Sequence, residues 1–108
     1  MRIQIRKPWV SRKRVSEIEF RILDIDETIL SYLSDFSLNP EKCSISHLRN
    51  IRDSINRNLT CLNETYRQYS SCFLFSSYNP NYESANSHGE FLASKINIYI
   101  GRKVRKRS

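Results

Sequence analysis

Two sets of apolar residues at helical spacing constrain this chain more than any other feature. Ile18, Ile22, Ile25, Ile29, Tyr32 and Phe36 recur at intervals of four, three, four, three and four, so they share one face of an α-helix and no single face of a strand. Leu48, Ile51, Ile55, Leu59, Leu62, Tyr66 and Tyr69 repeat the pattern. Ser16 followed by Glu19 has the form of a capping box, and Glu17 suits the positive end of a helix dipole. A first helix is therefore expected from about Glu17 to Ser37. Asn39-Pro40 ends it, because proline lacks an amide donor and biases its predecessor away from helical geometry. Ser44 or Ser46 can cap the second helix, and the short connection predicts an antiparallel hairpin. Glu17, Glu19, Asp24, Asp26, Glu27 and Asp35 outnumber Arg21 on the first helix. Arg49, Arg52, Arg57 and Arg67 outnumber Asp53 and Glu64 on the second, so the two are electrostatically complementary.

Past the hairpin the pattern changes. Cys72-Phe73-Leu74-Phe75 has the length and aromatic content of a strand, and the polar stretch from Ser76 to Ser87 reads as a loop. Ile96, Ile98 and Ile100 alternate with Asn97 and Tyr99, as Arg2-Ile3-Gln4-Ile5-Arg6 alternates near the start. Leu92, Ile96 and Tyr99 also fit a helical period; β-branched enrichment and Gly101 favour a strand. The expected fold is α+β and predominantly helical: a long antiparallel helical hairpin with a small sheet from the terminal segments. At 108 residues this is one domain, with a basic N-terminal arm over 1–16 and a basic C-terminal tail over 102–108. If the terminal strands pair, both arms leave near one edge and form one positive surface.

Charge is the most informative feature for function. Arg2, Arg6, Lys7, Arg12, Lys13 and Arg14 precede the first acidic residue, and Arg102, Lys103, Arg105, Lys106 and Arg107 crowd the last seven positions. Seven cations against eleven acids leave the intervening body at −4, while these eleven terminal cations bring the whole to +7. Basic arms neutralise phosphates with release of condensed counterions and need no base-reading geometry. Solubilising charge runs, or arms folded back on the acidic helix, are the plainer alternatives. Trp9 lies within the first arm and Tyr99 beside the second, where aromatic rings can stack on unpaired bases. Burial of Trp9 as an anchor for the arm is the reading preferred here, and Tyr66 and Tyr69 belong to the core stripe.

Other chemistry finds little footing. Cys43, Cys61 and Cys72 are an odd set without an export signal, so free thiols are expected rather than disulfides. The triplets Asn58-Leu59-Thr60 and Asn63-Glu64-Thr65 match the glycosylation pattern but arise readily in an Asn- and Ser-rich chain. Cys43 with His47, and Cys61, Cys72 and His88, lack the paired spacing of zinc sites and select no nucleophile. Two glycines exclude Gly-rich phosphate loops. No apolar run is long enough for a membrane span or a secretory leader, so a cytoplasmic setting is expected, while the acid-free first sixteen residues leave organellar import open.

The run Ile22-Leu23-Asp24-Ile25-Asp26-Glu27-Thr28-Ile29-Leu30 resembles the first motif of the haloacid-dehalogenase-type phosphatases. That resemblance implies Asp24 as nucleophile, Asp26 as acid or base, and a buried strand of a larger α/β domain. It covers these nine residues alone, and they lie inside a capped helical period flanked by Glu17, Glu19 and Arg21, so a solvated acidic helix face is preferred. A strand, two helices and strands ending in Ile96-Asn97-Ile98-Tyr99-Ile100-Gly101-Arg102-Lys103 is similar to the RelE and ParE toxin architecture, in basicity and size as well as order. No active-site residue carries over from it.

The resulting expectation is a non-catalytic, cofactor-free, nucleic-acid-associated module, with RNA favoured over DNA, inside a larger complex such as a ribonucleoprotein or a phage or plasmid nucleoprotein. Its phosphate contacts are Arg2, Arg6, Lys7, Trp9, Arg12, Lys13, Arg14, Arg102, Lys103, Arg105, Lys106 and Arg107. The alternative is a helical adaptor or inhibitor that binds an acidic protein surface.

Overall fold

A computed structural model of the chain describes residues 4–38, 41–75 and 78–107, with the side chains of 35–38 and 107 outside the description. Three long helices follow one another: α1 (Arg12–Leu38), α2 (Ile45–Ser71) and α3 (Pro80–Arg107). Each packs on the other two. The connections are short, so the chain runs up, down and up, with α1 parallel to α3. The bundle is a rod of 60 × 20 × 20 Å.

No sheet forms among the described residues, and Arg2 and Ile3 of the expected N-terminal strand lie outside them. Among the described residues the β contact is one isolated antiparallel bridge, Arg6 to Phe73. It is flanked by Lys7 N–H donating to the Cys72 carbonyl and Leu74 N–H donating to the Ile5 carbonyl, each at 2.8 Å. The expected strand at 72–75 is thus reduced to a latch that ties the N-terminal segment over the α2–α3 connection. Ile96–Ile100 is helical, and an all-helical bundle replaces the α+β fold. The RelE and ParE resemblance falls with the sheet.

Local chemistry explains the revised boundaries. The Ser11 hydroxyl accepts the Arg14 N–H at 3.1 Å, so α1 is capped five residues before the expected capping box at Ser16. Ser44 caps α2 as expected, accepting the His47 N–H at 3.0 Å. The stretch expected as a loop from Ser76 to Ser87 contains the start of α3: Asn79 accepts the N–H groups of Asn81 and Tyr82 at 2.9 and 3.1 Å. Pro80 occupies the first helical position, where its missing donor costs nothing, and Glu83 stands in the first turn.

The core divides into two clusters along the rod. Ile18, Ile22, Leu62, Tyr69, Cys72, Phe73 and Ala85 fill the end near the α2–α3 connection. Ile45, Leu48, Ile51, Ile55, Leu92, Ala93, Ile96 and Ile100 fill the end near the α1–α2 connection. Tyr66 stacks on Tyr82 with ring centroids 4.0 Å apart, which clamps the start of α3 onto the end of α2, and Tyr69 meets Phe73 of the following turn at 4.9 Å. Burial raises the Tyr69 pKa, helped by Glu19, and burial likewise raises that of Tyr82.

Leu59 packs against both clusters and does so over Gly89, where a Cβ would stand 2.5 Å from its Cδ2 and 3.0 Å from its Cγ. Gly89→Ala sets a helix-propensity gain of about 1 kcal/mol against overpacking that typically costs about 1–3 kcal/mol. A net loss is expected in the native background. In a Leu59→Ala background the clash is gone, and the same change is expected to stabilise; denaturant titration of the four proteins of the cycle reads the reversal of sign.

The electrostatic complementarity of α1 and α2 is not realised as ion pairs among the described residues. Arg52 pairs with Asp53 on its own helix at 3.2 Å, and Asp26 meets His88 of α3 at 3.0 Å. Across α1 and α2, Arg21 instead donates to the neutral Gln68 side chain at 3.4 Å.

Candidate polyanion-binding tips

The helical path separates the two basic arms instead of merging them. The N-terminal cations lie at the end closed by the α2–α3 connection, as the Arg6–Phe73 bridge requires. The C-terminal cations lie at the end closed by the α1–α2 connection, where Lys103 Nζ donates to the Glu41 carbonyl at 2.6 Å. A helix of 27 residues is about 40 Å long, and the single positive surface expected from paired terminal strands becomes two tips on a 60 Å rod.

At the N-terminal tip Arg12, Lys13 and Arg14 are exposed in the first turn of α1, which contains no acidic residue. Their charges add to the positive end of the helix dipole and to the unbonded N–H groups there. Arg6 and Lys7 are half-buried beside them; Arg6 donates to the Val10 carbonyl. Trp9 is 75% exposed, so it does not anchor the arm. Val10 packs on the core in its place, Tyr69 donates to the Gln4 side chain at 3.1 Å, and the Gln4 amide donates to the Tyr78 carbonyl. The indole is left in solvent with the Lys7 ammonium 5.9 Å from its ring centre. Arg2 lies outside the described residues.

At the other tip the last turns of α3 carry the charge. Tyr99, Arg102, Lys103 and Lys106 stand at i, i+3, i+4 and i+7, a single helix face. That face continues the inward stripe of Leu92 and Ile96, so the stripe turns from apolar to cationic where α3 reaches the end of the bundle. Together with Glu41 these four residues line a cleft of about 280 Å³. The Arg102 guanidinium lies 5.5 Å from the Tyr99 ring centre, and Arg105 is exposed alongside. The Arg107 side chain lies outside the description. Sequence reasoning placed Tyr99 next to the tail but missed the cleft, because the i, i+3, i+4, i+7 pattern is visible only once this segment is read as helix.

Neither Arg52–Asp53 nor Asp26–His88 draws on the terminal cations. Arg6 and Lys103 donate to main-chain carbonyls, which carry partial rather than full negative charge.

The other candidate chemistry disperses. Asp24 is exposed and Asp26 half-buried on a helix, not at the end of a strand, and residues two apart on a helix point about 200° apart. Asp24 lines a shallow cleft with Arg21, Cys61, Glu64 and Gln68, while Asp26 is turned to His88. The phosphatase motif is therefore not assembled. Among the described residues no three His, Cys, Asp or Glu side chains converge on a metal position. Cys61 is exposed, Cys43 half-buried and Cys72 buried.

These features define a class: a three-helix rod with a cationic tip at each end and an anionic waist. No helix of the described residues is long and apolar enough to cross a membrane. Comparison with protein-family models, curated proteins and solved structures finds no match to this chain.

Proposed function

We propose that the protein is a non-catalytic nucleic-acid-associated module that holds phosphate backbones through its two tips, as part of a larger nucleoprotein assembly. The observation that carries this reading is the placement of Arg12, Lys13 and Arg14 in the first turn of α1. Cations there oppose the helix dipole, so the dipole works against them, whereas a phosphate would meet three positive side chains at the positive end of the helix. The cleft at the far tip adds Tyr99 as a stacking surface beside three cations. Trp9, exposed at the N-terminal tip, and the half-buried edge of Tyr99 in the far cleft favour unpaired bases and hence RNA over a continuous duplex.

Trp9 is the single tryptophan and stands in solvent, so its fluorescence reports on the N-terminal tip directly. Titration with single-stranded RNA is expected to quench it. The apparent affinity should fall log-linearly with salt, with a slope of about −0.7 for each phosphate neutralised on a single strand. An adaptor for an acidic protein surface predicts instead no quenching at low salt and co-purification with one protein. Trp9→Ala, whose side chain buries little, is expected to change stability by no more than about 0.5 kcal/mol.

A further inference from the structure

The placement of charge along the rod suggests more than binding. We propose that the protein bridges two separate segments of nucleic acid, one held at each tip, an inference that rests on the proposed phosphate-binding function. The tips lie at opposite ends of a 60 Å rod. The Debye length is about 8 Å at physiological salt, so each tip acts on its own polyanion without sensing the other. Two segments held that far apart do not repel each other, which removes the main electrostatic cost of bringing nucleic acids together.

The competing geometry is one segment lying lengthwise along the rod. Such a segment would have to pass the body between the two arms, whose net charge over 15–101 is −4. On α1 it would meet the exposed carboxylates of Glu17, Asp24 and Glu27 against exposed Arg21, and on α3 exposed Glu90 against exposed Lys95. On the outer face of α2 it would meet exposed Arg49, Arg57 and Arg67 spread along the helix, with exposed Glu64 between the last two and Asp53 taken by Arg52. Arg52 is already paired with Asp53 and donates to Asn97 at 3.2 Å. The N-terminal tip, by contrast, sets Arg6, Lys7, Arg12, Lys13 and Arg14 against Glu83 in the first turn of α3, and the far tip sets Arg102, Lys103, Arg105 and Lys106 against Glu41 alone among the residues lining its cleft. Charge density therefore favours end-on binding at both tips over contact along the side.

The test uses the full-length protein and two RNA strands of the same sequence, one immobilised on beads and one fluorescent in solution, at about 50 mM salt, where phosphate contacts are strong. The native protein is expected to carry fluorescent RNA onto the beads. A variant with Arg102, Lys103, Arg105 and Lys106 all changed to Gln should still bind immobilised RNA through the N-terminal tip, with captured fluorescence falling by about tenfold or more as the second contact is lost. Retention of helical circular dichroism shows that this variant is folded. If the native protein binds the beads but captures no second strand, bridging is overturned while phosphate binding stands. Undiminished capture by the variant also overturns it, because one tip then suffices. If the native protein does not bind RNA at all, the phosphate-binding reading itself fails.

Discussion

Ile96→Ala is expected to destabilise the protein by about 2–5 kcal/mol, whereas Ile98→Ala two residues later is expected to cost no more than about 0.5 kcal/mol. In the helix Ile96 is fully buried and Ile100 nearly so, while Ile98 is 50% exposed. A strand would place all three isoleucines on one face and make them equivalent. Aspartate sharpens the contrast. Ile96→Asp puts a charge without a partner into the cluster formed by Ile51, Ile55 and Leu92, and a domain with about 5–15 kcal/mol of total stability has little margin for it. Little or no cooperative unfolding transition is expected for that variant. Ile98→Asp is expected to remain folded, losing about 1 kcal/mol or less through helix propensity. Thermal melts followed by circular dichroism check all four proteins, and equal losses at Ile96 and Ile98 would contradict the helical assignment of α3.

The same segment shows why part of the fold was hidden in the sequence. The stripes of α1 and α2 were readable because their apolar residues keep strictly to helical spacing. Ser44 was readable because a serine before an apolar period is a strong cap. Ile98 broke the pattern in α3: as an exposed isoleucine between two buried ones it turned a helical period into an apparent alternation. The Asn79-Pro80 start signal was lost within a stretch rich in Ser and Asn, where polar composition reads as loop. At the first helix the boundary is hidden by charge. Arg12, Lys13 and Arg14 break the rule that first turns favour acids, so the sequence pattern points to a start near Glu17 where α1 begins at Arg12. Sequences break local rules most often where a surface serves something other than folding, and here that surface is the candidate site. The terminal cations themselves were legible; their distribution to opposite ends depended on the third helix.

The two tips differ in what they contribute to the fold, and that difference yields the second large expected effect. Changing Arg12, Lys13 and Arg14 to Gln removes charges that oppose the α1 dipole and is expected to raise stability by about 1–2 kcal/mol in total at low ionic strength. That gain appears as a melting temperature higher by roughly 4–8 °C for each kcal/mol. Changing Arg102, Lys103, Arg105 and Lys106 to Gln removes cations that suit the negative end of α3, and stability is expected to fall by a similar amount. Nucleic-acid affinity moves the same way in both. Releasing about 0.7 counterion per phosphate on a single strand makes each contact worth roughly fivefold at about 0.1 M salt, so three or four contacts give a loss of roughly 10²- to 10³-fold at the tip concerned. Opposite shifts in melting temperature with a shared loss of affinity are the signature of cations kept at the N-terminal tip for a phosphate partner. If the Arg12, Lys13 and Arg14 substitutions instead lower the melting temperature, those side chains support α1 directly, and the argument from the misplaced charges no longer holds.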